Sequence, residues 1–381
     1  MRVDGRSRRY ACVVRIGVPT ERMEAEHRVA LAPAGARELT GMGHEVLVQQ
    51  GAGRGSGLND EAYVRAGASI VPDAAEAWAA ELVCKVKEPL PEEYALLREG
   101  LTLFTFLHLA AHADLTRALT ESGCVAIGYE TVQLDDGRLP LLAPMSEIAG
   151  RMAPHVGAHY LEAEHGAGIL LGGVPGVRPA RVAVLGAGVA GRNAAFLAAG
   201  MEAEVLLFDK NLDRLREVDE IHRGRIMTLY SSRESVENAV VEADVVIGAV
   251  LVAGARAPVV VSESVVKEMQ PGRVVIDLSI DQGGCIETSR PTTHHSPVFV
   301  EHEVLHYCVG NVPGAVPHTS TNALTHATLP YVEALVSLGV DETLRTNTPL
   351  ARGVNVYRGR VTNTGVAESH GMSYEELAGL L

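Results

Sequence analysis

An α/β fold with two doubly wound domains is predicted by three features of the sequence. Short runs rich in Val, Ile and Leu alternate with helical patterns along nearly the whole chain, the signature of strand–helix–strand units on a parallel sheet. The Gly/Pro-rich stretch GGVPGVRPA at 172–180 separates one such alternation from a second. The chain also has 381 residues, more than one ordinary core supports at about 150 residues per domain. Its apolar share of 47% and aromatic share of only 4% suit buried parallel strands with closely packed helices rather than an aromatic-rich sandwich.

In the first 140 residues the strands are expected at 15–18 (RIGV), 44–49 (HEVLVQ), 82–87 (LVCKVK), 102–108 (TLFTFLH) and 124–130 (CVAIGYE). Helical patterns such as AGARELTGM, DAAEAWAA and DLTRALTES lie between them. The segment 144–161 reads as a helix, with a bend at Pro154. The second alternation has strands at 181–185, 204–209, 225–230, 244–250, 274–280 and roughly 304–309, followed by a helical segment at 321–338. Near the C-terminus Ser373 and Glu376 have capping-box spacing and predict a last helix. The final 60 residues are too few for a domain and are expected to pack back on the first one. The predicted layout is therefore 1–140 with 319–381 as a substrate and catalytic domain, 1–14 being a disordered tail. Residues 141–318 form a second, nucleotide-binding domain, with a cleft between the two.

The formal charge of −14 argues against nucleic acid or an anionic membrane as a bulk partner. An anionic substrate then needs local Arg or Lys residues. The five cysteines (Cys12, Cys84, Cys124, Cys285, Cys308) are dispersed, odd in number and never in a CxxC pair, which fits a reducing cytoplasm. No run approaches the roughly 18 apolar residues that span a bilayer. The opening MRVDGRSRRYACVV lacks the apolar stretch of a secretory signal.

RVAVLGAGVAGRNAAFLAAG places Gly186, Gly188 and Gly191 in a G-x-G-x-x-G pattern. The motif is weak alone, but here an apolar strand precedes it and an Ala-rich helix follows. EVLLFD then ends at Asp209, 18 residues after Gly191. This is the arrangement of a Rossmann-like dinucleotide site, with the pyrophosphate at the helix N-terminus. Asp209 would accept hydrogen bonds from the ribose hydroxyls and repel a 2′-phosphate, favouring NAD over NADP. Lys210 and Arg214 nearby temper that preference.

In open parallel sheets ligands sit beyond the carboxyl ends of the strands. Polar residues that end apolar runs are the first candidates there: Lys87 ends LVCKVK, His108 ends LFTFLH, and Asp281 follows VVIDLSI. Each has an ordinary reading as a solvated or turn-capping residue. Their recurrence at equivalent positions in both domains strengthens the functional one. Lys85 shares the strand face of Lys87, further from the tip.

The chain resembles the alanine dehydrogenase family, which includes the NAD-binding subunit of nicotinamide nucleotide transhydrogenase. The resemblance runs from Arg15 onward through HRVALAPAG (27–35), KVKEPLPEEY (85–94), LAPMSEIAGRMAP (142–154), IDQGGCIETSRPTTH (280–294) and NVPGAVPHTST (311–321). It implies that Arg28 and Lys87 hold the substrate carboxylate and carbonyl. It implies that His108 acts as acid/base and that Asp281 handles the water of imine hydrolysis. It also implies cofactor contacts from Ser146, Asp209, Arg214, Ser231, Val250, Leu278 and Asn311. The implied reaction is NAD-dependent interconversion of L-alanine with pyruvate and ammonium, in a homohexamer. Histidine suits such chemistry, because its ordinary pKa lies close to neutrality. Val312, His318, His155 and Arg256 depart from the family pattern and bear on cofactor affinity and pocket shape, as does the extra N-terminal tail.

Two rival readings remain open at this level: a relative acting on another 2-oxo acid or amino acid, and a transhydrogenase-like NAD-binding subunit. The pentad His302–His306 spells the HExxH pattern of zinc proteases, but its β-branched, glycine-broken surroundings read as strand and turn rather than helix, and no metal is expected. GAGRGSG at 51–57 reads as a turn after a strand, since Ser56 takes the slot of the third glycine.

Overall fold

The computed structural model describes residues 13–250 and 257–381; Cys12, Arg256 and the segment up to residue 12 lie outside the described residues. The chain divides into two compact units. One comprises the described residues up to Pro144 together with Val316–Leu381, and the other is Met145–Ala315. The first contains β1 (Arg15–Val18), β2 (Glu45–Gln49), β3 (Ser69–Val71), β4 (Leu82–Cys84), β5 (Thr102–Thr105) and β6 (Val125–Gly128). The second contains β7 (Arg181–Leu185), β8 (Glu204–Asp209), β9 (Ile226–Tyr230), β10 (Val245–Gly248), β11 (Val274–Asp277), β12 (Val298–Glu301) and β13 (Val304–Tyr307). The chain then returns to the first unit with β14 (Val354–Tyr357) and β15 (Arg360–Val361).

The sheet of the first unit runs β3-β2-β1-β4-β5-β6-β14-β15, parallel up to β6 and antiparallel at the β14–β15 edge. The sheet of the second runs β9-β8-β7-β10-β11-β13-β12, with only β12 antiparallel. In both, the strand order reverses beside the first strand, at β1/β4 and at β7/β10, where doubly wound sheets bind ligands.

Side-chain alternation shows why these strands are parallel and central. Val182 and Val184 of β7 enter one core with Val205, Leu207, Ile247 and Ile276, where Ala194 and Ala198 of the helix Val189–Gly200 cover them. Ala183 and Leu185 face the other way, into a core with Phe208, Val246, Val275 and Val240. Both faces are dry, so the strands read as unbroken apolar runs.

The strands stop earlier than the apolar runs suggest. Regular pairing ends at Cys84, Thr105 and Gly128, short of Lys87, His108 and Glu130. Beyond β4 and β5, backbone amides turn to carboxylate side chains, as detailed below. The predicted C-terminal helix is absent. Tyr374 pairs with Val361 and the Glu375 amide donates to the Val361 carbonyl, leaving only a 3₁₀ turn at Leu377–Gly379. A tertiary pairing thus overrides the Ser373/Glu376 cap. The helix Ala143–Tyr160 runs through Pro154, and the returning helix Pro317–Leu338 begins before the predicted 321. Among the described residues, no helix is long and apolar enough to cross a membrane.

Candidate active site

In the second unit the glycine-rich turn joins β7 to the helix Val189–Gly200. Gly186 has φ 106°, a region that L side chains rarely adopt. A Cβ on Gly191 would lie 1.7 Å from the Gly186 carbonyl oxygen, so the helix reaches the strand only because that atom is missing. Gly188 differs: a Cβ there would meet nothing within 4 Å. Packing does not require this glycine. It sits at the helix N-cap with no side-chain cap, at the end that favours a phosphate, so the turn fits a dinucleotide pyrophosphate.

Most of the other cofactor candidates, and the catalytic candidate Asp281, follow strand ends on the same edge of this sheet. Asp209 ends β8, Ser231 follows β9, Val250 follows β10, Leu278 and Asp281 follow β11, and Asn311 follows β13. Asp209 Oδ2 accepts from the Ala187 amide of the glycine turn at 2.7 Å, and Arg214 lies 3.6 Å from the same oxygen. The Ser231 amide donates to the Asp209 carbonyl, the Leu278 amide to the Gly248 carbonyl, and the Ser279 hydroxyl to the Val250 carbonyl. Asp281 accepts from the Asn311 amide at 3.4 Å, Asn311 itself being left-handed at φ 59°. Ser146 lies in the first turns of the helix Ala143–Tyr160, half-buried. Buried Asp277 ties down the loop that carries Asp281 by accepting from the amides of Ser279, Cys285 and Ile286.

In the first unit, Lys87 and His108 each lie three residues beyond a strand end, after β4 and β5. The Lys87 carbonyl accepts from Thr105 Oγ1 at 2.9 Å, linking the two strand tips. Lys87 is half-buried and His108 exposed. Arg28 lies in the loop after β1, which the returning helix holds through Thr321 Oγ1 to the Val29 amide and Thr325 Oγ1 to the Ala32 amide. Arg28 is only 2% exposed and makes a two-pronged pair with Glu26, Nε to Oε1 at 2.7 Å and Nη2 to Oε2 at 2.5 Å. Its guanidinium is thus already oriented by a carboxylate of its own loop.

Sequence reasoning missed the acidic residues beneath these groups. Glu21, three residues beyond β1, accepts from the Val86 amide at 2.6 Å and the Lys87 amide at 3.3 Å. Lys85 is buried between Glu21 at 3.3 Å and Glu93 at 3.0 Å. Burial works against the Lys85 ammonium, but Glu21 and Glu93 together outweigh it and hold its pKa above the ordinary lysine value. Lys85 is therefore a fixed structural cation, distinct in surroundings from Lys87 two residues on. Glu130, two residues beyond β6, accepts from the amides of Leu107 and His108. The strand-tip rule that singles out Lys87 and His108 applies equally to Glu130, the last residue of CVAIGYE.

The HExxH pentad forms a hairpin. β12 and β13 pair antiparallel with Glu301 opposite Val304, and His302 and Glu303 make the turn at φ 52° and 59°. His306 is fully buried, with Nδ1 facing the Val304 carbonyl and Nε2 facing the Thr288 hydroxyl. Its burial lowers its pKa. Among the described residues, no group of three or more His, Cys, Asp or Glu is placed to hold a metal ion. In the segment 51–57, Arg54–Ser56 forms a 3₁₀ turn after β2, and Ser56 Oγ lies 2.7 Å from Thr321 Oγ1.

Fold and glycine turn together define the second unit as a Rossmann-like nucleotide-binding domain of the dehydrogenase kind. Residues 17–149 match the alanine dehydrogenase/PNT N-terminal domain, and residues 153–364 match the C-terminal domain of the same family. The chain is 52% identical over 370 residues to an alanine dehydrogenase of Halomonas elongata, covering 97% of this chain and 100% of that protein. It is 53% identical to an alanine dehydrogenase of Mycobacterium tuberculosis with the same coverage. A solved L-alanine dehydrogenase structure superposes with a TM-score of 0.91 at 48% identity, covering 94% of this chain and 99% of the other. The chain belongs to the alanine dehydrogenase/PNT family.

Proposed function

We propose that this chain is an NAD-dependent dehydrogenase that interconverts L-alanine with pyruvate and ammonium. The observation that carries this reading is the identity of about half, over almost the full length of both chains, with proteins named alanine dehydrogenase. The placement of the candidate residues at strand tips supports it.

The first unit supplies Arg28, Lys87 and His108, and the second the cofactor groups together with Asp281. Arg28 and Lys87 bind the carboxylate and carbonyl of the substrate; a short amino acid has little apolar surface, so charge-assisted bonds must provide much of its affinity. A nicotinamide cofactor held by the glycine turn and strand tips of the second unit would supply the acceptor for the hydride that leaves the substrate Cα. His108 takes up and returns the protons that accompany water addition and ammonia loss, and Asp281 orients the attacking water. Gly186, Gly188 and Gly191 admit the pyrophosphate, with Ser146, Ser231, Val250, Leu278 and Asn311 as further cofactor contacts. Asp209 reads the ribose hydroxyls, which favours NAD. The free cysteines at 84, 124, 285 and 308 are all buried and fit a reducing cytoplasm.

Steady-state assays over a panel of amino acids test this directly. NADH should form with L-alanine and disappear with pyruvate plus ammonium. Strong turnover of a bulkier amino acid with a flat response to alanine would overturn the substrate assignment.

A further inference from the structure

The backbone at His108 is in an uncommon state. With φ 47° and ψ 35° it is left-handed, a conformation that is strained for a residue other than glycine and persists only where its surroundings enforce it. The enforcing group is visible. One carboxylate, Glu130, receives the His108 amide at 2.7 Å on Oε1 and the Leu107 amide at 3.2 Å on each oxygen. Hydrogen bonds to an ionised acceptor are about twice as strong as neutral ones.

The ring above this backbone is also guided. The His108 imidazole stacks on Phe106 at 5.8 Å with planes 3° apart. Phe106 in turn packs edge-on against Tyr129, the residue before Glu130, at 5.1 Å. Glu130 stands on the 3₁₀ turn Tyr129–Thr131, which the antiparallel strand β14 and the residue before it support: Asn355 of β14 donates to Thr131 Oγ1 at 2.8 Å, and Thr131 donates to the Gly353 carbonyl. A chain of packed and hydrogen-bonded groups thus runs from β14 through Glu130 to an imidazole that is exposed although its backbone is pinned.

From this arrangement we infer that Glu130 is a positioning residue for the reaction, holding His108 in the left-handed conformation that presents its imidazole to the substrate. The inference rests on the reading of His108 as the acid/base. Glu130 acts through the backbone of His108 and not on the substrate, so its whole effect on turnover passes through that imidazole.

A double-mutant cycle tests this on the full-length enzyme, with kcat, KM for cofactor and alanine, and thermal melting measured for each variant. Glu130→Ala should lower kcat by about 10- to 100-fold, the scale of a misplacement near one ångström. The KM for NAD should stay within about twofold, because the cofactor groups lie on other strands. Glu130→Gln, which keeps one acceptor oxygen, should recover part of the loss, and it carries the test if the alanine variant folds poorly. In a His108→Ala background, Glu130→Ala should change kcat by less than about twofold, since the group it positions is gone.

Undiminished kcat in His108→Ala alone would overturn the acid/base reading and the inference with it. A large His108→Ala loss, with an equal further loss from Glu130→Ala in that background, would overturn the inference alone and make Glu130 merely structural. Unchanged kcat in Glu130→Ala with His108 intact would do the same.

Discussion

Asp209 ties down the glycine turn and, in the proposed function, reads the ribose, and one pair of substitutions separates these roles. Its carboxylate accepts from the Ala187 amide of the glycine turn on one oxygen and from the Asn211 amide on the other, with Arg214 alongside. A hydrogen bond to a charged group contributes about 1.5–3 kcal/mol, so Asp209→Ala should lower kcat/KM with NAD by about 10- to 100-fold. The ratio of NADP to NAD activity should rise at the same time, because the charge that repels a 2′-phosphate is removed and Arg214 is released to meet one. Asp209→Asn keeps an oxygen for the Ala187 amide, and should relax the preference with a smaller loss of NAD activity. Steady-state assays with both cofactors check this; equal kcat/KM for NADP and NAD in the unmutated protein would remove the ribose argument.

At the scale of elements, the β12–β13 hairpin turns a protease-like pentad into a test of context. His302 and Glu303 both occupy left-handed backbone, the requirement of a two-residue turn that favours Asn-Gly. Replacing them together by His302→Asn and Glu303→Gly should leave dehydrogenase activity intact; relief of two left-handed positions is set against loss of the 2.9 Å His302–Glu263 contact, so stability should change by less than about 1 kcal/mol. Loss of dehydrogenase activity in that variant while its melting temperature is unchanged would mean that the pentad has a chemical role. The hairpin also shows why some elements were legible and others not. Parallel strands buried on both faces advertise themselves as apolar runs, and the surroundings of the pentad betrayed a strand. β14 and β15 carry no such run: VNVY places Asn355 among its apolar residues, and that Asn supports the turn beneath Glu130. The roles of Glu21 and Glu130 are hidden for a different reason, although Glu130 ends an apolar run and the strand-tip rule could have marked it. A glutamate beyond a strand end looks solvated in sequence, and only the fold shows which amides it receives. The Ser373 cap failed because a pairing with Val361, more than ten residues away, outweighed a local signal.

Across the whole molecule, the two sheets share one strand order, β3-β2-β1-β4-β5-β6 and β9-β8-β7-β10-β11-β13, although their sequences offer different chemistry at the tips. Lysine, histidine and glutamates lie beyond the strands of the first unit, whereas a glycine turn, aspartates and short polar residues lie beyond those of the second. The homohexamer implied by family resemblance belongs to this scale. In the second unit, Leu170, Val174 and Val177 are 65%, 54% and 63% exposed within eight residues of sequence, a concentration of large apolar side chains that association would remove from water. Light scattering on the purified protein should give a mass six times that of the 40.4 kDa chain. Raising the salt concentration should leave that mass unchanged, because ions screen charge pairs across an interface but do not weaken apolar burial. A mass equal to one chain would overturn the hexamer. A hexamer that dissociates in high salt would instead mean that ion pairs hold the copies together, leaving the 170–177 segment exposed for another reason.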